Sequence, residues 1–313
     1  MVALLAILLY FLLFLLVALV SGNNLPACSG PIISGRIVSR RTGIMIAVLG
    51  YASGFLIEGG LLKTGLLELM PFQSGYLVAA ALSVAIAVFL IAHTLRVPES
   101  LSITFTMSII GIDLGYGSGI NLPFILMVIF FWIISAAASG LLAAALMKSA
   151  NRVVPKLNIW KTASAMRITL IAVSFLAAFS LGANTIGFVY ASASSFIDPF
   201  YGIVIALAAV VSGSVLLSKG ELGRMGAEIM SLRYLNALVC QTVSTAMVQL
   251  GTALSIPTSN AQTFTSSMYG AGFSYRTRLL LMRPMLTILY AWIVTAMISM
   301  LLGYALTFAI YHL

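Results

Sequence analysis

Ile256-Pro-Thr-Ser-Asn-Ala-Gln-Thr-Phe-Thr-Ser-Ser-Met-Tyr-Gly270 is a polar run in a chain that is otherwise almost wholly apolar. It carries too many hydroxyl and amide groups for a helix that faces lipid. A proline followed by closely spaced Ser, Thr and Asn suits a helix that begins inside a membrane, with its first N–H groups and side chains free to hold a ligand. The same pattern occurs earlier, as Val97-Pro98-Glu-Ser100-Leu-Ser-Ile-Thr104-Phe105-Thr106, with Gly111 beyond it. Pro98, Ser100, Thr104, Phe105, Thr106 and Gly111 each recur 159 residues later, as Pro257, Ser259, Thr263, Phe264, Thr265 and Gly270. The chain therefore reads as a tandem duplication.

Composition sets the class around this pair. With 61% hydrophobic and 7% charged residues and a mean hydropathy of +1.13, the apolar surface is too large for a water-soluble fold to bury. The expectation is an all-α polytopic membrane protein, its 313 residues divided among spans of about 20 residues each. The net charge of +9 resides in short loops between apolar runs, where it sets orientation and does not read as a nucleic-acid footprint. Cys28 and Cys240 occupy non-equivalent places in the two halves, which points to neither a disulfide nor a metal site. Leu25-Pro-Ala-Cys28 faintly resembles a lipoprotein cleavage site. The first cation is Arg36, however, so Val2 to Val20 reads as a retained helix.

In order, apolar runs fall at about 2–20, 43–62, 72–95 and 121–147, and again at about 164–181, 200–217, 234–255 and 280–311. The linker around Pro155, with Lys148, Arg152, Lys156 and Lys161, divides a first repeat, 1–147, from a second, 160–313, with 148–159 cytoplasmic. Segments 21–35 and 182–196 read as re-entrant dips, and 97–117 and 257–275 as broken helices that cross. Each half then makes about five crossings. With both termini extracellular in a multi-pass protein of the cell membrane, fifteen of the sixteen Lys and Arg residues, Arg36 to Arg283, fall on the cytoplasmic side and Lys63 alone outside. An odd number of crossings inserts the two copies in opposite senses, the inverted-repeat plan of many secondary transporters.

The sequence resembles the inorganic phosphate transporter (PiT) family of sodium- or proton-coupled anion permeases. The family's Gly-Ala-Asn-Asp-x-x-Asn-Ala signature is approached by Gly182-Ala183-Asn184-Thr185 and by Ser21-Gly22-Asn23-Asn24-Leu25, and its Pro-x-Ser-Thr-Thr-His helix start by Pro98-Glu-Ser100 and Pro257-Thr-Ser259. The stretch Lys219 to Leu232 is similar to the family's cytoplasmic segment, and the likeness in order and spacing covers nearly the whole chain. The resemblance implies a symporter of inorganic phosphate, with sulfate or another oxyanion, or an anion channel of the same fold, as the alternatives. Leu25 and Thr185 stand where the family has aspartates, Cys28 and Phe188 where it has the following asparagines, and histidine is absent from both helix starts. Sodium coupling is thereby weakened and a proton becomes the likelier coupling ion, with no further cofactor required. A homodimer is compatible with the resemblance.

The expected substrate-binding residues are Asn24, Ser100, Thr104, Asn184, Thr185, Ser259 and Thr263, with Gly22, Gly182, Pro98 and Pro257 forming the turns. Capping of helix ends by the asparagines and back-bonding of the hydroxyls to their own helix are the plainer readings. Asp113 is an ionisable group within an apolar segment, which is costly unless it faces a cavity or partner; it reads either as an interfacial residue or as the proton carrier. Glu99 reads as a residue of the cytoplasmic mouth, Glu58 and Glu68 as outer-loop residues. An enzyme is not expected. The histidines, His93 and His312, neighbour no candidate serine, and no phosphate-binding P-loop is present.

Overall fold

The computed structural model describes residues 2–70, 74–95, 99–117, 119–154, 158–217, 234–273 and 282–312. Twelve α-helices order these residues: α1 Val2–Ser34, α2 Arg40–Glu58, α3 Leu62–Leu69, α4 Gly75–Thr94, α5 Leu101–Tyr116, α6 Leu122–Val153, α7 Ile159–Leu181, α8 Gly187–Ala193, α9 Pro199–Leu216, α10 Tyr234–Ala253, α11 Asn260–Phe273 and α12 Met282–His312. A single π turn, Gly182–Ile186, joins α7 to α8. Among the described residues seven helical stretches are long and apolar enough to cross a membrane, so the protein is a multi-pass membrane protein. Helices α5, α10 and α11 fall outside that set for a physical reason: α5 and α11 are short, and α10 and α11 carry polar residues such as Gln241, Ser244, Asn260 and Thr263 that are buried inside the protein.

The expected re-entrant dips are replaced by helix. Helix α1 runs 33 residues without a break, about 50 Å at 1.5 Å per residue, although Pro26 and Pro31 lie within it. An internal proline frees the carbonyl four residues back. For Pro31 that carbonyl is Ala27 O, and it accepts from Gln241 Nε2 on α10 at 3.2 Å, with Cys28 O accepting from the same nitrogen. A donor from the other half of the chain thus keeps the helix intact where local chemistry favours a turn. The second expected dip, 182–196, is the π turn followed by α8.

The element starts recur at a fixed spacing. Arg40 and Pro199, and Leu101 and Asn260, which begin α2 and α9, and α5 and α11, are each 159 residues apart. Packing is reciprocal too: α1 lies on α9 and α2 on α7, α5 on α12 and α6 on α11. Each half therefore embraces helices of the other. Small residues allow the approach. A Cβ on Gly111 would overlap the Met300 carbonyl oxygen, and one on Gly270 that of Gly140. Arg36, Arg40, Arg41, Lys63, Lys148, Arg152, Lys161 and Arg167 are exposed. Of the remaining cations in the topology argument, Arg283 is in α12, and Arg96, Lys156, Lys219, Arg224, Arg233, Arg276 and Arg278 lie outside the described residues.

Candidate functional site

Two gaps in the helical run face the interior. Helix α4 stops at Thr94 and α5 begins at Leu101; α10 stops at Ala253 and α11 begins at Asn260. Each new start leaves backbone N–H groups without an intrahelical acceptor. At the second gap Ser255 adopts a left-handed φ of 58°, which ends α10 as such residues often do, and its hydroxyl donates to Leu61 O at 2.7 Å. Pro257 lies in this gap as expected, its carbonyl accepting from Trp132 Nε1 at 2.7 Å. Pro98, the turn residue expected of the first gap, lies outside the described residues.

The π turn ties the two gaps together. Asn184 is fully buried; its Nδ2 donates to Thr252 Oγ1 and to Ile256 O, each at 3.0 Å, and its Oδ1 accepts from Thr258 N at 2.8 Å. The next residue, Thr185, meets the Ser102 hydroxyl of α5 at 3.3 Å. Adjacent side chains of one turn therefore hold the second gap and touch the start of α5. A π turn supplies the extra residue that makes this possible, and such turns recur at functional sites. Gly182 at its head packs against α2 so closely that a Cβ would overlap Tyr51 O. Phe105 of α5 and Phe188 of α8 pack edge to face at 5.3 Å beside the cluster.

The two starts differ in how their polar groups are occupied. At α11, Ser259 Oγ accepts from Gln262 N at 3.2 Å, and Thr263 Oγ1 pairs with Ser244 Oγ at 2.7 Å while Ser244 donates to Asn260 Oδ1 at 2.9 Å. At α5, Ser100 occupies the N-cap position with no capping hydrogen bond. Thr104 donates to Glu99 Oε1, and Glu99 Oε2 is buried with no hydrogen-bond partner. Glu99 is thus an interior residue, 9% exposed, where the sequence suggested a mouth. Glu58 accepts from Gln249 and Glu68 from Asn121.

The remaining expected residues separate. Asn24 on α1 is half-buried, and Gly22 beside it packs against Gly213 O and the Leu217 side chain. Asp113 is buried, 1% exposed, yet it lies nine residues beyond Thr104 on α5, about 14 Å along the axis. It belongs to a different level of the molecule from the cluster. Ser102, Ser244, Thr252, Thr258 and Asn260 join the cluster without having been singled out. Ser102, Thr258 and Asn260 lay within the quoted runs; Thr252 is marked only by its place before the proline break.

Hydroxyls, amides and helix-start N–H groups suit an oxyanion. No Lys or Arg is buried among the described residues, so dipoles and a co-bound cation would have to balance its charge. No group of three or more His, Cys, Asp or Glu able to hold a metal occurs among the described residues, and both cysteines are free and buried.

A solved structure of a sodium-dependent phosphate transporter superposes with a TM-score of 0.80 over 99% of both chains at 15% identity, which establishes a common fold. No curated protein matches the sequence significantly. The sequence pattern of the phosphate transporter family matches residues 20–303. Spanning both halves and both helix breaks, that match shows that the chain belongs to the phosphate transporter family and is a transporter, not an enzyme.

Proposed function

We propose that the protein is a cation-coupled symporter of inorganic phosphate in the cell membrane, with the anion held where the start of α5, the π turn and the 254–260 break converge. The observation that carries this reading is the adjacency of Asn184 and Thr185, which join both breaks through a single turn. The halves 1–147 and 160–313 act as inverted copies with both termini outside. Their reciprocal packing supports this, as does the 159-residue spacing of their element starts. Rocking of one set of helices against the other would expose the site to each side in turn. Ser100, Thr104 and Thr185 are the hydroxyls offered to substrate, with Asn24 of α1 a further candidate contact, while Asn184, Ser259 and Thr263 shape the second break.

Counter-flow in proteoliposomes with labelled phosphate and sulfate tests the assignment. Saturable phosphate exchange, with uphill accumulation under an imposed cation gradient, is expected. A sulfate preference would move the substrate assignment, and conduction without accumulation would make the protein a channel. Cysteines placed at Lys63 should label from outside, and at Arg152 only after permeabilisation; labelling of Arg152 in intact cells would refute the orientation.

A further inference from the structure

We propose that Glu99 carries the coupling proton, releasing it when the anion leaves. The proposal rests on the oxyanion-transport reading above and adds the identity of the coupling ion and its carrier.

Glu99 lies two residues before α5 begins, beside the N–H groups on which an anion would sit. One carboxyl oxygen accepts from Thr104, and the other is buried with no partner. Among the described residues, burial and the Thr104 hydroxyl are what act on this carboxyl, and no charged side chain does. The ionisable groups on surrounding elements are turned to other tasks. His93 of α4 is exposed and stacks on Phe89; Glu68 of α3 is exposed and bound by Asn121; Glu58 at the end of α2 is bound by Gln249; Asp113 is at the far end of α5. Tyr304 and Tyr311 of α12 are exposed. Arg96 lies outside the described residues.

A buried carboxylate with an orphaned oxygen is an expensive state, and an anion arriving beside it makes it more so. Protonation removes the repulsion and converts the orphan acceptor into an O–H donor that a substrate oxygen can use. Proton and anion therefore favour each other's binding, and the coupling is reciprocal. The equivalent position in the second half, 159 residues on, is Thr258, whose hydroxyl donates to Ile256 O at 3.1 Å. One break carries the ionisable group and the other a neutral stand-in.

The test compares the full chain with Glu99→Gln and Glu99→Asp in proteoliposomes, using phosphate and, as an oxyanion that does not titrate near neutrality, sulfate. Under a one-unit pH gradient the parent should accumulate substrate up to about tenfold. Glu99→Gln should lose accumulation while a weaker, measurable counter-flow exchange persists at matched pH, and its half-saturation should lose the pH dependence that the parent shows beyond phosphate's own titration; Glu99→Asp should restore part of it. Three results would overturn the proposal: undiminished proton-driven accumulation in Glu99→Gln, accumulation in the parent driven by sodium alone, or the same uncoupling from Arg96→Gln, which would make Glu99 half of an ion pair. A parent that exchanges sulfate and not phosphate would sink the phosphate assignment alone, since either anion meets the same carboxyl.

Discussion

The two helix breaks descend from one sequence pattern and have diverged in what their polar groups do. At the 254–260 break, Asn184, Ser259, Ser244 and Thr263 satisfy one another and the backbone, and the unmatched oxygen there, Gln262 Oε1, is a neutral amide's. At the start of α5, Ser100 caps nothing and Glu99 keeps an unmatched oxygen. Satisfied buried networks rigidify, whereas a partly satisfied one is poised for a ligand. The second break is then a fixed wall and the first the face where binding and coupling take place. Duplication gave two equal elements, and one could be spent on stiffness.

The strongest way to break this comparison is at the two asparagines that the sequence pattern makes equivalent. Asn184→Ala removes three buried hydrogen bonds and orphans Thr258 N–H, for a loss of at least about 3 kcal/mol. Thermal stability in detergent should fall sharply and uptake should vanish. Asn24→Ala, on a half-buried residue, should leave stability nearly unchanged and raise the half-saturation for phosphate. Equal losses of stability would mean that the two breaks are clamped alike.

A second pair tests the scaffold the breaks share. Gly111→Ala and Gly270→Ala each drive a methyl into a backbone carbonyl, of Met300 and of Gly140, and overpacking of this kind costs about 1–3 kcal/mol. Here the halves should respond alike, because the close approach of α5 to α12 and of α11 to α6 is the same device used twice. A large effect at one glycine and none at the other would show that the asymmetry extends beyond the polar groups into the packing.

The sequence reading reached some of this and missed the rest for one recurring reason. Membrane class, helical content and the two breaks follow from composition and from a proline preceding hydroxyls, which are local signals. The 159-residue spacing follows from residue identity alone and reappears in the helix starts. Failures come where non-local packing decides: a partner distant in sequence, or burial that local composition does not reveal. Segment 21–35 read as a dip because nothing nearby reveals that Gln241 will serve the Ala27 carbonyl. The bonding of the Asn184 amide could not be foreseen because Thr252 and Thr258, which occupy it, are some 70 residues away in sequence. Glu99 looked peripheral because two of the preceding four residues, Leu95 to Pro98, are an arginine and a proline, the marks of a loop; the carboxyl nevertheless lies inside.

The smallest expected effect is the most discriminating. By sequence, Ser100→Ala and Ser259→Ala are the same experiment in two copies and should weaken binding equally. Their geometry says otherwise. The Ser259 hydroxyl caps α11 by accepting from Gln262 N, so its removal should cost about 1 kcal/mol of stability and alter affinity only through the looser helix start. The Ser100 hydroxyl makes no cap bond, so Ser100→Ala should leave thermal stability within about 0.5 kcal/mol and show its effect in phosphate half-saturation. Measuring melting temperature and counter-flow on both variants separates the cases: the stability loss should belong to Ser259 and the affinity loss to Ser100. If both serines lose affinity to the same degree with stability intact, the substrate is held symmetrically between the breaks, and the division into a wall and a binding face is wrong.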